Sequence, residues 1–459
     1  MTGPTDTGTS EATVHLLSSL ADIDRDTWDG LANPGWRLGN GGHLERIGGE
    51  AAKHPLNHHL KTGDFESDSN RLAADPDSRS QAEGAPGIGA ATSTATRSAP
   101  PPRAFNPFLS HDFLWSLEEA GCATPQTGWA SCHLVLDGAD GLPDGILPCY
   151  MKSHSQGEYV FDHGWADAFE RAGGRYYPKL QSSVPFTPAT APKLLVRPGP
   201  GEDTRRRALA AGIKAATSRF GASSAHLTFL EEEEADLLAA EGFLHRTDQQ
   251  FHWFNDGYAS FDDFLASLAS RKRKTIRRER RDAASSDLTI TWVTGADITE
   301  DHWDAFYSFY MDTGSRKWGQ PYLNRLFFSL IGERMAERIL LVFAYRGDEP
   351  IAGALNFIGS DTLYGRNWGT LDPQPFLHFE VCYYQAIDYA IANGLARVEA
   401  GAQGPHKLAR GYRPVTTHSA HWIVHKGFRD AVANFLTHER EAVEEENVAL
   451  EALTPFKKG

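Results

Sequence analysis

The chain has 459 residues, 41% apolar and 23% charged, with a net charge of −15 at neutral pH. That length holds two or three ordinary domains, and the composition excludes a fibrous or wholly disordered chain. The acidic balance argues against broad, nonspecific nucleic-acid binding, and no apolar run reaches the ~18 residues of a membrane span.

The N-terminus (MTGPTDTGTSEAT) lacks the basic region and apolar core of a signal peptide. Cys122, Cys132, Cys149 and Cys382 show no CxxC spacing, so free buried thiols in a cytoplasmic protein are expected. Residues 14–20 (VHLLSSL) predict a strand and 22–32 a short amphipathic helix. From 36 to 103 the periodicity disappears into Gly, Ser, Ala, Pro and Asp, which predicts an unstructured insertion. His54, His58 and His59 lie there without a rigid frame, so no metal site is expected.

Order resumes near Phe105, with Ser110 as N-cap of a helix over 111–120. Strands are predicted at 129–136 and 145–153, followed by the runs 158–165 and 176–181. The Pro-rich string 182–194 (SSVPFTPATAPKL) cannot be a central strand and reads as a segment crossing a site or a domain edge. A helix over 203–220, a strand over 225–230, an acidic helix over 231–241 and a long strand over 243–255 complete one α/β unit, residues 104–256.

The second unit, 257–459, opens with a helix over 261–284. Its stretch from Arg271 to Arg281 (RKRKTIRRERR) holds eight Lys or Arg against one Glu, a local +7 that leaves about −22 for the rest of the chain. Arg273, Lys274, Arg277, Arg278 and Arg281, with Arg280, are placed by helical spacing around one face. Such crowding suits a polyphosphate or nucleic-acid backbone; the alternative is a solvated helix paired with acids elsewhere.

A strand over 288–293, helices over 301–312 and 322–336, and strands over 339–345, 351–358 and 362–370 follow. Then come a helix over 376–393, a strand over 397–400, a strand over 417–424 and a closing helix over 428–450. Each unit is thus read as a mixed sheet flanked by helices, and each carries a Gly-Trp pair, Gly164-Trp165 and Trp368-Gly369, suggesting related halves.

Chemistry is densest after the strand ending near Glu399. A half-buried carboxylate there can take a proton from an amine. Gln403 and His406 can hydrogen-bond a carbonyl or its oxyanion, and Lys407 and Arg410 can hold phosphate or carboxylate. The alternative is a solvated loop with Glu399 paired to Arg410. Gly365-Arg366-Asn367-Trp368-Gly369 can bring backbone, Arg366, Asn367 and Trp368 to a ligand, or form a turn with a packed Trp. Tyr177, Lys179 and Gln181, near Tyr159, Asp162, His163, Trp165 and Tyr176, are candidates for lining a cleft between the units. No GxSxG, Walker A, post-strand GxGxxG or HExxH string is present, nor the Gly-rich loop that seats a coenzyme A pyrophosphate; FLHF (376–379) stands in its place.

These residues carry a resemblance. NPFLSHDFLWSLEEAG, YYPKLQSSVPFTP, SRKRKTIRRERR, YGRNWG, LHFEVCYYQAIDYAI and EAGAQGPHKLARGYRP are similar to FemAB-like predicted N-acyltransferases of the GNAT superfamily, a family associated with peptidoglycan biosynthesis. The likeness runs from Phe105 to the C-terminus and includes the first strand and helix, with 36–103 as an insertion. It implies tandem GNAT-like domains and transfer of an acyl group to an amine. Fem-type relatives use aminoacyl-tRNA, and leucyl/phenylalanyl-tRNA–protein transferases space an acid and a His like Glu399 and His406. The resemblance therefore implies Glu399 as the residue steering the amine, with Gln403 and His406 beside it, and the basic helix as the grip on a nucleotide carrier. No tightly bound cofactor is expected; the donor is a co-substrate, aminoacyl-tRNA or else an acyl-CoA, and the acceptor a small-molecule or peptide amine. An acetyl-CoA-dependent N-acetyltransferase and a non-catalytic tRNA- or nucleotide-binding module are the competing readings.

Overall fold

The computed structural model describes residues 12–48, 103–284, 287–317, 321–401 and 404–457. In chain order the first half supplies β1 (Val14–Leu17), β2 (Trp36–Leu38), β3 (Leu44–Arg46), β4 (Trp129–Ser131), β5 (His133–Asp137) and β6 (Pro143–Leu147). It continues with β7 (Tyr150–Lys152), β8 (Lys179–Ser182), β9 (Leu195–Val196), β10 (Ser224–Leu230) and β11 (Leu244–Phe254). The second half adds β12 (Leu288–Thr294), β13 (Ile339–Arg346), β14 (Glu349–Ile358), β15 (Thr362–Thr370), β16 (Arg397–Glu399) and β17 (Arg413–Ile423). The helices are α1 (Arg25–Ala32), α2 (His111–Glu119), α3 (His163–Arg171), α4 (Glu202–Arg219), α5 (Glu232–Ala240) and α6 (Phe261–Ser267). After them come α7 (Ser270–Ala284), α8 (Glu300–Lys317), α9 (Arg325–Met335), α10 (Leu377–Phe379), α11 (Gln385–Ala392) and α12 (Lys426–Glu451).

Strand order shows the two halves to be alike. One sheet runs β12-β13-β14-β15-β16-β11-β17-β10-β8-β7-β4 and a second runs β1-β5-β6-β9. Only Cys132 separates β4 from β5, and its N–H donates to the Cys149 carbonyl at 2.9 Å between β6 and β7. The same two strands therefore bend from one sheet into the other. Counting inward from either edge, the order is the same: β1, β5/β4, β6/β7, β8, β10 on one side, and β12, β13, β14, β15, β16 on the other. Each side has one parallel pair, β8 with β10 and β15 with β16. At the centre the last strands are exchanged, β11 pairing with β16 and β17 with β10. This is a tandem α/β arrangement of two like mixed sheets, as the resemblance implies, in which each half covers the other's open strand edge. The division near residue 257 in the chain is thus crossed twice by strands in space.

The exchange also unites the cores. Phe108, before α2, sits 5.1 Å from Phe113, 5.0 Å from Phe357 of β14 and 5.1 Å from Tyr364 of β15, measured between ring centroids. Ser110 caps α2 by accepting from the Phe113 N–H, as its sequence position predicts. The opposite face of the second-half sheet is covered by α6, α7 and α11 around Trp253, Leu363, Tyr384 and Val398.

Three expectations change. Residues 36–46 form the paired strands β2 and β3, and the Trp36 indole donates to the Arg103 carbonyl at 2.7 Å, so structure extends into the stretch expected to be formless. Residues 49–102, with His54, His58 and His59, lie outside the described residues. The basic helix is two helices: the backbone breaks at Leu268, and Ala269 N–H donates to Pro455 O at 2.8 Å, so the C-terminal segment docks in the break. Gly164-Trp165 belongs to the first turn of α3, whereas Trp368-Gly369 lies within β15, so the two Gly-Trp pairs are not equivalent corners.

Candidate active site

The parallel pair β15–β16 is registered for only three residues, Thr362–Tyr364 against Arg397–Glu399. Beyond them β15 continues along β14, and the other chain turns away at Ala400. A bulge accompanies the parting: Leu355 lies opposite Asn367 and Asn356 opposite Gly365, leaving Arg366 as the extra residue.

Glu399 is buried at the end of β16. Alternation turns it away from Val398, which packs in the core against α11. Arg397 Nε lies 3.8 Å from one carboxylate oxygen, and the other, Oε2, has no hydrogen-bond partner among the described residues. Burial pushes its pKa up to about 7 against the pull of Arg397; Asp361 adds to the rise and Arg366 opposes it. Across the strand pair stands His252, whose Nε2 is 3.2 Å from Gln250 Oε1 and whose pKa burial lowers to about 3.

Arg366 faces the seam between the halves. Its Nη2 donates to Phe186 O at 2.7 Å, its guanidinium lies 5.7 Å from the Phe108 ring, and burial lowers its pKa. Tyr159 and Tyr310 are within its electrostatic reach. Phe186 stacks on Tyr322 at 4.8 Å, and Asn367 lines the same apolar hollow. Tyr159 and Phe186 hold left-handed backbones, φ 60° and 59°. That costs roughly 1–2 kcal/mol each and is a feature concentrated at functional sites. The Pro-rich string meets the second half here, through the Phe186 carbonyl that accepts from Arg366.

The loop after Glu399 serves the other face. His406 is exposed, and its Nε2 is 2.9 Å from the Tyr383 hydroxyl. Lys407 is buried and donates to the carbonyls of Ala400 and Gly401 at 2.6 and 2.8 Å, which pins the chain leaving β16; burial lowers its pKa to about 7. Arg410 does not pair with Glu399. It donates to both carboxylate oxygens of Glu279 at 3.0 and 2.9 Å and to His406 O at 2.7 Å, with its guanidinium 3.4 Å from the Phe379 ring centre. Trp368 packs against His378 at 5.0 Å. Gln403 lies outside the described residues.

The cationic helix α7 abuts this loop. Arg271, Lys272, Thr275, Glu279, Ala409 and Arg410 line a cavity of about 320 Å³. Lys274, Arg277, Arg278 and Arg281 are exposed and Arg273 is half-buried. Arg277 pairs with Asp262 at 2.8 Å and Arg281 with Asp282 at 3.4 Å, both at the surface, where such pairs contribute little. Arg280 turns inward instead, to Glu380 at 2.9 Å and Asp388 at 2.6 Å, and fastens α7 to the chain beneath.

Tyr177, Lys179 and Gln181 do not join these groups. They belong to a buried network in the first half. Lys179 bridges Glu158, Asp162 and Ser155, Tyr177 hydroxyl meets Ser155 Oγ at 2.8 Å, and Gln181 donates to Thr228 at 3.1 Å. The three-residue parallel pair of the first half ends at Leu227 opposite Ser182, where that of the second half ends at Glu399 opposite Tyr364, and the neighbouring His226 lies opposite His421 with their Nδ1 atoms 2.7 Å apart. The carboxylate at the parting strands is thus peculiar to the second half. Among the described residues no group of three His, Cys, Asp or Glu is placed to hold a metal ion. Arg271 and Lys272 were legible as part of the basic run. Phe186, Tyr310 and Tyr322 were not, being isolated aromatics in three distant segments.

Residues 94–458 match the family model described as FemAB-like, peptidoglycan biosynthesis/recognition. No curated protein matches the chain. Among solved structures, the crystal structure of FemX is 13% identical, with a TM-score of 0.44, over 69% of this chain and 93% of that one. L-PGS from Bacillus licheniformis is 9% identical at a TM-score of 0.44, over 72% and 98%. A tandem GNAT protein from the clavulanic acid biosynthesis pathway is 13% identical at 0.37, over 70% and 89%.

Proposed function

The chain belongs to the FemAB-like family, and on that ground we propose that it is an N-acyltransferase that moves an aminoacyl group from a tRNA-like carrier to an amine. The observation that carries this reading is Glu399: buried, with one oxygen unpartnered among the described residues and a pKa near 7, where β15 and β16 part. A carboxylate so tuned is basic enough to accept a proton from an ammonium or an attacking amine near neutral pH.

The acceptor nitrogen attacks the ester carbonyl carbon, and its surplus proton passes to Glu399. The oxyanion that forms is stabilised by Arg366 and Asn367, beside the bulge. As the intermediate collapses, the bond from the carbonyl carbon to the carrier's ribose oxygen breaks, and Glu399 returns the proton to that oxygen. Holding both substrates at the parting strands supplies the orientation. His406, Lys407 and Arg410 shape the donor side: Lys407 fixes the loop, and Arg410 with Arg271 and Lys272 forms a cationic wall for carrier phosphate. Arg273, Lys274, Arg277, Arg278 and Arg281 extend that field along α7. The donor is a co-substrate, and the chain at α10, FLHF, favours this carrier over coenzyme A.

The test is transfer from radiolabelled aminoacyl-tRNA to a panel of amines, including peptidoglycan precursors, by wild type and Glu399→Gln. Loss of product by about 10²–10⁴-fold in the variant is expected. Undiminished transfer by Glu399→Gln, or transfer only with acetyl-CoA, overturns the reading.

A further inference from the structure

A run of rings borders the cationic cavity, and the reading above gives none of them a contact with the carrier's base. It begins at Phe379, beneath the Arg410 guanidinium that also lines the cavity. From Phe379 the ring centres step 5.9 Å to His406, 5.6 Å to His378 and 6.3 Å to Tyr383, and from His378 another 5.0 Å to Trp368. Trp368, His378 and Phe379 are half-buried and His406 is exposed, so the run reaches the surface. Core aromatics need no such edge.

The backbone is built to present these rings. Phe376, which opens the segment, is left-handed at φ 64°. A π turn, Glu380–Tyr384, follows α10, and Phe379 and Tyr383 lie nearly parallel across it at 25°. Such turns widen a helix at a cost and recur at functional sites. Arg280 secures the turn through Glu380. Partial burial, Lys407 and Arg410 lower the pKa of His406, which favours the uncharged ring.

We propose that this ledge and the adjoining cavity form one nucleotide subsite, with the base against the rings of Phe379, His378, His406 and Trp368 and the phosphate among Arg271, Lys272 and Arg410. Ring faces accept any base, and a cationic groove beside them tracks the backbone. The subsite rests on the acyl-carrier reading above and specifies what it grips: the last nucleotide of the carrier. The same chemistry would also receive the nucleotide end of a coenzyme.

The experiment measures binding by the full-length wild-type protein, without transfer. Three probes are a hairpin RNA ending in CCA, the same hairpin with an abasic 3′ nucleotide, and coenzyme A, each titrated at several salt concentrations. Removing the terminal base should weaken binding about 5- to 150-fold, the effect of one stacked base. The slope of log affinity against log salt should stay the same, because the phosphate contacts remain. Phe379→Leu should abolish the difference between the two hairpins. Equal binding of both hairpins overturns the ledge and leaves the carrier reading standing. Failure of all three probes to bind overturns both. Coenzyme A binding tightly, with Phe379 dependence and without RNA binding, keeps the subsite and reassigns its source.

Discussion

Replacing Glu399 with Gln should separate stability from activity, with a sign that depends on pH. The carboxylate is buried, and its pKa stands at about 7 against an ordinary 4.5. A raised folded-state pKa means that the folded protein binds more protons than the unfolded chain between those values. Glu399 is therefore harmless at pH 4 and costs stability as the pH rises through 7. A shift of this size corresponds to ~3 kcal/mol at pH 8, the penalty of ionising a group that burial has stripped of water. Gln has nearly the same shape and no charge. Urea denaturation of both proteins at pH 4 and pH 8 should show little difference at the lower pH and a Gln variant more stable by about that margin at the higher. Wild-type transfer should rise with pH through a midpoint near 7 and be lost in the variant. A variant less stable by the same amount at both pH values would refute the reasoning, because it would mean the carboxylate is satisfied where it sits.

Phe108→Ala should cost ~3–5 kcal/mol by denaturant titration, since its ring joins Phe113 to Phe357 and Tyr364 across the two halves. Two separate unfolding transitions in wild type would argue that the halves are not joined in this way. Glu279→Ala strands the buried Arg410 guanidinium and should cost ~3–5 kcal/mol, with part recovered when Arg410→Ala is added, a coupling that a double-mutant cycle measures. His226 and His421 share one short contact, and burial holds His226 at about 3 and His421 well below its ordinary value. The unfolded chain takes up those protons below about pH 6.5 and the folded protein does not. Each should therefore cost up to ~1.4 kcal/mol per pH unit as the pH falls. His421→Gln should flatten the stability profile between pH 6.5 and 5; an unchanged slope would count against two neutral rings.

Much was legible in the residues alone. Alternation and capping placed the strands around Glu399, the Ser110 cap and the long strand before Asn255, because these signals are local and repeat every two or four residues. The density of Arg and Lys in α7 was also plain, and its face could be drawn from helical spacing. What the spacing could not say was that Arg280 turns inward to Glu380 and Asp388, since those acids are about a hundred positions away. The same distance hid the pairing of Arg410 with Glu279, which frees Glu399 of the partner assigned to it.

Tertiary structure alone decided three things. It exchanged β11 and β17 between halves, a choice made by strand edges that must be covered and invisible to any window of sequence. It separated Tyr177, Lys179 and Gln181 from the parting strands and brought Phe186, Tyr310 and Tyr322 toward Arg366 in their place. It also set the Glu399 carboxylate beneath the surface, without a donor for one oxygen among the described residues. Residue types determine which groups can ionise or stack; only the packing around them determines how much water they lose, and that loss tunes Glu399.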